Sequence, residues 1–191
     1  MATLSSPYVT PERYLELERS ADFRSEYDQG SVFPMSRDSL RHSIILANIL
    51  GMLGADPIVR KCHLYAAGAC VQVKAAELYT YPDITIVCGQ PAHGDAKKDT
   101  LTNPTLIFEV LSPSTQDYDR GRKFQNYRAL PSLREYITVE QASPHMEQWT
   151  RQDQHQWLLT EIDGLENTLR LQSIECSLLF SDIFYHVEFD A

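Results

Sequence analysis

Asp83 and Glu109 each stand in a run of β-forming residues, YPDITIVCG (81–89) and PTLIFEVLSP (104–113). A buried carboxylate without a partner is costly, so each acid needs a cation, a set of hydrogen-bond donors or a metal. Bringing two acids together raises the cost, because like charges at close range do not both stay ionised without a positive ion between them. A divalent cation answers both demands. Asp and Glu oxygens, a backbone carbonyl and waters make the hard, near-octahedral shell that suits Mg²⁺ or Mn²⁺. Lys123 follows in DRGRKFQNYR (119–128). A lysine beside such a site orients a water, helps lower its pKa or offsets the charge of an attacked phosphate. Taken singly, each residue has an ordinary use: Asp83 after Pro82 suits a turn or strand start, and a helical lysine is commonly solvated. Glu109 has less of an alternative, flanked as it is by Leu106, Ile107, Phe108, Val110 and Leu111.

These side chains need elements to hold them. TLIFEVLSP, apolar on both faces except for Glu109, reads as a central strand. CHLYAAG, ACVQVKA and PDITIVCG read as three further strands, with HGDAKKDTLTN a polar loop. The turn Ser112-Pro113-Ser114 swings the next helix back over the end of the Glu109 strand. That helix shows apolar spacing at Tyr118, Phe124, Tyr127 and Leu130, a Ser or Thr cap near 114–115 and a stop before Pro131. Upstream, Thr10 caps a short helix opened by Pro11, a hairpin turns at Gln29-Gly30, and a long helix spans the apolar positions 40, 44, 45, 46, 49, 50 and 53, with Gly54 as its stop. LREYITVE, HMEQWTRQ and QWLLTEI follow as successive antiparallel strands, and SDIFYHV closes as a short helix. The order predicts an α/β fold: a mixed β-sheet core flanked by helices, with additional antiparallel strands and a cleft at the strand ends.

The length of 191 residues suits one domain, 1–191. With 43% hydrophobic and 23% charged residues and no long apolar run, the chain reads as a cytoplasmic protein without a membrane segment or signal peptide. Cys62, Cys70, Cys88 and Cys176 lack metal-type spacing and read as reduced thiols. The net charge of −9 counts against non-specific adhesion to nucleic acid, although Arg120, Arg122, Lys123, Arg128 and Arg134 make a local basic segment. A small-molecule hydrolase has little support, since G-x-S-x-G, a zinc-type His pair and a glycine-rich phosphate loop are all missing.

The motifs LYTYPDITIVCG and LIFEVLSPSTQDYDRGRKFQNYRALPSLREYITV, and more loosely SEYDQGSVFPMSRDSLRHSIILANIL, resemble the Uma-type restriction endonuclease family, long catalogued as a domain of unknown function within the PD-(D/E)XK nuclease superfamily. The resemblance runs from about Tyr8 to DIFYHVEF. It implies a restriction-endonuclease-like fold and a Mg²⁺-dependent (or Mn²⁺-dependent) endonuclease that hydrolyses phosphodiester bonds in DNA by water attack. Asp83 and Glu109 are then metal ligands, with the Val110 carbonyl a further one. The superfamily's lysine ordinarily stands two residues after the second acid, where this chain has Leu111. In Uma-type sequences a lysine of the following helix takes its place, which implies Lys123 as the third catalytic residue. Tyr127, at i+4, is expected to face the same cleft. DNA contacts are assigned to Arg120, Arg122, Tyr127 and Arg128, with Arg37, Arg41 and His42 as further candidates and His42 outside the catalytic set. Two departures, Ser31 and Gly68 where relatives carry Glu and Asp, support an alternative: a catalytically degenerate nuclease-fold binding or assembly module, unless Glu26 faces the cleft and compensates. A homodimer is expected, because cutting both strands of a duplex calls for two centres related by a two-fold axis. Trp149 and Trp157 serve either that surface or the core.

Overall fold

The computed structural model describes residues 8–35, 38–113 and 115–189. Arg37 and Ser114, both singled out above, lie outside them. Helix α1 (Pro11–Glu18) starts as expected, with Thr10 accepting from the Arg13 N–H. Strands β1 (Ser25–Asp28) and β2 (Ser31–Pro34) form the hairpin around Gln29 and Gly30, whose φ values of 47° and 91° lie in the left-handed region that a tight two-residue hairpin turn requires. Helix α2 (Leu40–Ala55) is capped by Ser39, which accepts from the His42 N–H at 3.0 Å. It runs through Gly54 and stops only at Asp56, whose ψ of 124° is the extended conformation that the following Pro57 demands.

Two larger sheets and a separate hairpin carry the strands of the described residues. One has the order β2-β1-β5-β4-β7, with β4 (Cys70–Val73), β5 (Leu78–Thr80) and β7 (Thr100–Leu101). The other, with the order β11-β10-β9-β8-β6-β3, holds β3 (His63–Ala66), β6 (Ile84–Val87), β8 (Leu106–Val110), β9 (Glu135–Val139), β10 (His145–Arg151) and β11 (Trp157–Asp163). The short β7 interrupts the expected polar loop, because Leu101 is buried where it pairs with β4. Strand β8 is buried along its whole length, parallel to β9 and antiparallel to β6. The sheet is therefore mixed. Strands β9, β10 and β11 run antiparallel to one another as the sequence predicts. A separate hairpin, β12 (Thr168–Leu171) and β13 (Cys176–Leu179), leads into the short closing helix α5 (Phe180–Ile183).

Helix α2 lays Ile45, Ile49 and Leu53 on one sheet face, against Ile84, Ile86, Leu106 and Phe108. Each fully buried aliphatic side chain contributes roughly 1.5–3 kcal/mol, so these three outweigh any surface pair in setting the helix orientation. The other face carries Val87, Ile107 and Tyr136, covered by Phe124 and Tyr127. Trp149 and Trp157 pack on Phe124, with ring centroids 4.7 and 5.3 Å away, and so serve that core.

The reduced state expected of all four cysteines needs correction: Cys62 and Cys88 form a disulfide, while Cys70 and Cys176 are free and buried. The register pairing His63 with Val87 puts Cys62 directly opposite Cys88 at the next step. A separation of 26 residues gave no hint of this.

Candidate functional site

The register that pairs Ile84 with Phe108 brings Asp83 opposite Glu109 one residue further on. Side chains alternate along a strand. Since Leu106 and Phe108 face α2, Glu109 projects from the opposite face, toward the chain that follows β8, whereas Asp83, in the bend just before β6, meets the Val110 N–H and His42 of α2. That chain forms α3 (Gln116–Tyr118), a π-helical turn over Asp119–Lys123 and α4 (Phe124–Tyr127). Thr115 precedes the helix without a side-chain capping bond. Asp119, Lys123 and Tyr127, four residues apart, all turn inward and are buried. π-Turns recur at functional sites because one extra residue re-aims the side chains around it.

The Lys123 Nζ lies 2.9 Å from Glu109 Oε1, 3.1 Å from Glu26 Oε1 and 3.3 Å from Asp119 Oδ1. Tyr127 donates its hydroxyl to Glu109 Oε1 at 3.1 Å. Glu26 also accepts from the Thr80 hydroxyl and the Tyr81 N–H. Asp83 is held separately: Oδ2 accepts the Val110 N–H at 2.7 Å, and Oδ1 is 3.1 Å from His42 Nε2. Alternation along β1 explains the visitor from the other sheet. Tyr27 packs with Tyr14 and Tyr79, so Glu26 and Asp28 point the other way, into the cleft.

Burial pushes the Glu109 carboxyl well above the usual carboxylate range, although Lys123 pulls against it. Burial also opposes charge on Lys123, but Glu109, Glu26, Tyr127 and Asp119 outweigh it and hold the amine well above its ordinary value. Lys123 is therefore an ammonium. For Glu26 the desolvation effect is overcome by Lys123 and the Thr80 hydroxyl, and its pKa is lowered. Burial works to depress His42, yet the hydrogen bond and charge of Asp83 raise it above 6.5. A raised histidine stabilises the fold fully below its unfolded pKa and loses that contribution as pH rises through the folded value. In metal-free buffer, the margin in melting temperature of the wild type over His42→Gln is expected to be largest below about pH 6.5 and to shrink above it. A margin independent of pH would remove His42 as the partner of Asp83.

Glu26, His42, Asp83, Glu109 and Lys123 line one cavity of about 500 Å³, whose walls carry six carboxyl groups (Glu26, Asp28, Asp38, Asp83, Glu109 and Asp119) against two basic side chains, Arg122 and Lys123. That surplus of negative charge, made of hard oxygen donors, fits a divalent cation. Val110 is also at the wall.

The remaining expected contacts are scattered. Arg122 sits at the rim, its side chain 56% exposed and paired with Asp28 at 2.8 Å. Arg120 points elsewhere, bridging Glu140 and Glu147. Arg128 is exposed beyond the far end of the helix, and Arg41 lies in the first turn of α2. Neither Ser31 nor Gly68 is at the cavity wall, whereas Glu26 is. Asp28, Asp119 and the direct contact of His42 with Asp83 escaped the sequence reading. Only Asp119 had a local signal, standing four residues before Lys123 on the same stripe. Among the described residues, a second group of ligand-type side chains, His145, Glu147 and Glu161, lies on β10 and β11 and takes no part in this cleft.

Comparison with known proteins agrees with the architecture. A crystal structure described as "a putative nuclease belonging to DUF820 from Anabaena variabilis ATCC 29413" superposes with a TM-score of 0.74, covering 92% of this chain and 97% of that one at 15% identity. It shares the fold. Two proteins of Synechocystis sp. (strain ATCC 27184 / PCC 6803 / Kazusa) are similar in sequence. "Uncharacterized protein sll1609" is 31% identical over 164 residues, 86% of this chain and 93% of the relative. "Uncharacterized protein slr1290" is 30% identical over 184 residues, 96% and 95% of the two chains. The family model Uma2, described as "Putative restriction endonuclease", matches residues 11–180. With a mixed sheet that the Anabaena structure shares, and with a family match that spans every element placing these side chains, the chain belongs to the Uma2 family.

Proposed function

We propose that this chain is a divalent-metal-dependent endonuclease that hydrolyses phosphodiester bonds in DNA. One observation carries the reading: Asp83 and Glu109, from adjacent strands, converge on one cleft with the Lys123 ammonium 2.9 Å from Glu109. The carboxylates of Asp83 and Glu109 and the carbonyl of Val110 would hold Mg²⁺ or Mn²⁺. When bound, such an ion supplies Lewis-acid stabilisation of charge on the phosphoryl oxygens and a more acidic water.

The protein groups have separate tasks. An ammonium donates three hydrogen bonds and accepts none, so Lys123 orients the attacking water and offsets charge at phosphorus but cannot take the water's proton. That proton leaves to a carboxylate or to solvent. Attack forms the new P–O bond as the bond to the departing ester oxygen breaks, without a covalent enzyme intermediate. Tyr127, through its hydroxyl on Glu109, and His42, through its contact with Asp83, are positioning residues. Arg122 at the rim is the arginine of the expected set best placed to meet a phosphate entering the cleft. A homodimer with two such centres would cut both strands.

The test is cleavage of plasmid DNA by the purified protein in Mg²⁺ or Mn²⁺, with EDTA as the quench and RNA as the competing substrate. Metal-dependent nicking is expected. Intact plasmid in both metals, together with no heat on calorimetric titration of either ion, would reject this reading and leave the degenerate binding module.

A further inference from the structure

At the opposite end of β8 from the acidic cleft, the charge balance reverses. Arg134 precedes β9 and donates its N–H to the Thr105 carbonyl, while the Arg151 N–H donates to the Arg134 carbonyl at 2.8 Å. The register that pairs Glu135 with Thr150 makes Arg134 and Arg151 direct cross-strand neighbours. Like charges at that position repel, a cost the fold carries unless something anionic offsets it. Arg151 is fixed: its guanidinium donates to the carbonyls of Leu133, Arg128 and Leu130 and stacks 4.4 Å from the Trp157 ring. Carbonyls satisfy its hydrogen bonds but do not cancel its charge. The same bond to the Arg128 carbonyl ties the helix end carrying Arg128 to this place. Among the described residues, Arg128, Arg134 and Arg151 form no ion pair with a carboxylate, and Arg128 and Arg134 are exposed. Arg134 and Arg151 line an open hollow of about 570 Å³. Its carboxylate, Glu135, is already taken by Gln148, Gln172 and Ser173.

We propose that Arg128 and Arg134, with Arg151 as a fixed positive base, form a second phosphate-binding site that takes the backbone of a polynucleotide. The identity of that ligand rests on the nuclease reading. The four steps from Glu109 to Thr105, which accepts from the Arg134 N–H, separate the two sites by roughly 13 Å along the strand. At about 3.4 Å of duplex axis per nucleotide of one strand, that distance corresponds to about four nucleotides. An acidic cleft repels DNA until a cation enters it. A basic patch at this distance retains the duplex meanwhile.

The experiment measures fluorescence anisotropy of a labelled duplex with the full chain in EDTA, across a salt series, for the wild type and the double variant Arg128→Glu with Arg134→Glu. Both side chains are exposed, so the variant keeps the core. The expected result is a loss of at least about tenfold in affinity and a fall of about two in the slope of log K against log salt, as two phosphate contacts disappear. An unchanged slope overturns the proposal. So does an outcome in which inorganic phosphate binds the wild type and not the variant while the duplex binds neither, because the site would then be one for small anions. Duplex binding that depends on these arginines, by a protein that never cuts in Mg²⁺ or Mn²⁺, sustains this inference and rejects the nuclease reading.

Discussion

Asp83→Asn and Glu109→Gln are each expected to lower metal-dependent cleavage of DNA by at least about 100-fold, the scale on which one electrostatic partner of a transition state is lost. These substitutions are more informative than alanine. Asn keeps an acceptor oxygen for the Val110 N–H, and Gln keeps one for the Tyr127 hydroxyl, so one anchoring bond survives at each position while the charge that meets His42 or Lys123 does not. The fold should remain, and the heat of Mg²⁺ or Mn²⁺ binding should fall with the activity. Undiminished nicking by either variant would remove that residue from the catalytic set. Wild-type activity with no calorimetric change in Asp83→Asn would place the ion elsewhere, with the carboxylate surplus of the cleft then unexplained.

Lys123→Ala is expected to have the largest effect on stability. The ammonium is the shared partner of Glu26, Glu109 and Asp119, and all three side chains are largely buried. Removing one member of a buried pair costs about 3–5 kcal/mol, because the opposite charge is left without compensation. In a chain of this length that lowers the melting temperature by roughly 10 °C. Two secondary readouts separate lost charge from lost packing. Lowering the pH should narrow the gap, since the stranded carboxylates can then take up protons. Added Mg²⁺ should stabilise the variant more than the wild type, because the cation takes over the neutralising role. Lys123→Met refills the space without the charge. If it restored the melting temperature in full, the electrostatic account of Lys123 would fail.

Much of the frame was legible along the chain. Glu109 in an otherwise apolar run marked a central strand, and β8 is buried from end to end. Thr10 and Pro11 opened α1, Gln29-Gly30 turned the first hairpin, and the apolar spacing from 40 to 53 was a helix on one sheet face. These features obey local rules: a cap needs its next few N–H groups, and periodicity reports which face of an element is dry. The four short strands β5, β7, β12 and β13 have no signature along the chain, because two to four residues do not establish a period.

Long-range pairing decided the rest. Alternation put Glu26 and Asp28 on one side of β1, but only the approach of the second sheet made that side the wall of the cleft. His42, expected among the DNA contacts and outside the catalytic set, is buried; its contact with Asp83 exists because the first turn of α2 passes the end of β6. The Cys62–Cys88 disulfide and the parallel pairing of β8 with β9 likewise follow from strand order, which no local pattern encodes. The arginines make the same point from the other side. Neighbours in sequence, Arg120, Arg122 and Arg128 end in three different environments, because a helix turns each successive side chain toward a different neighbour. The sequence by itself determined which residue types were available and which face of its own element each occupies. The tertiary structure decided which faces meet, and an ammonium placed among three carboxylates has its chemistry only once they do.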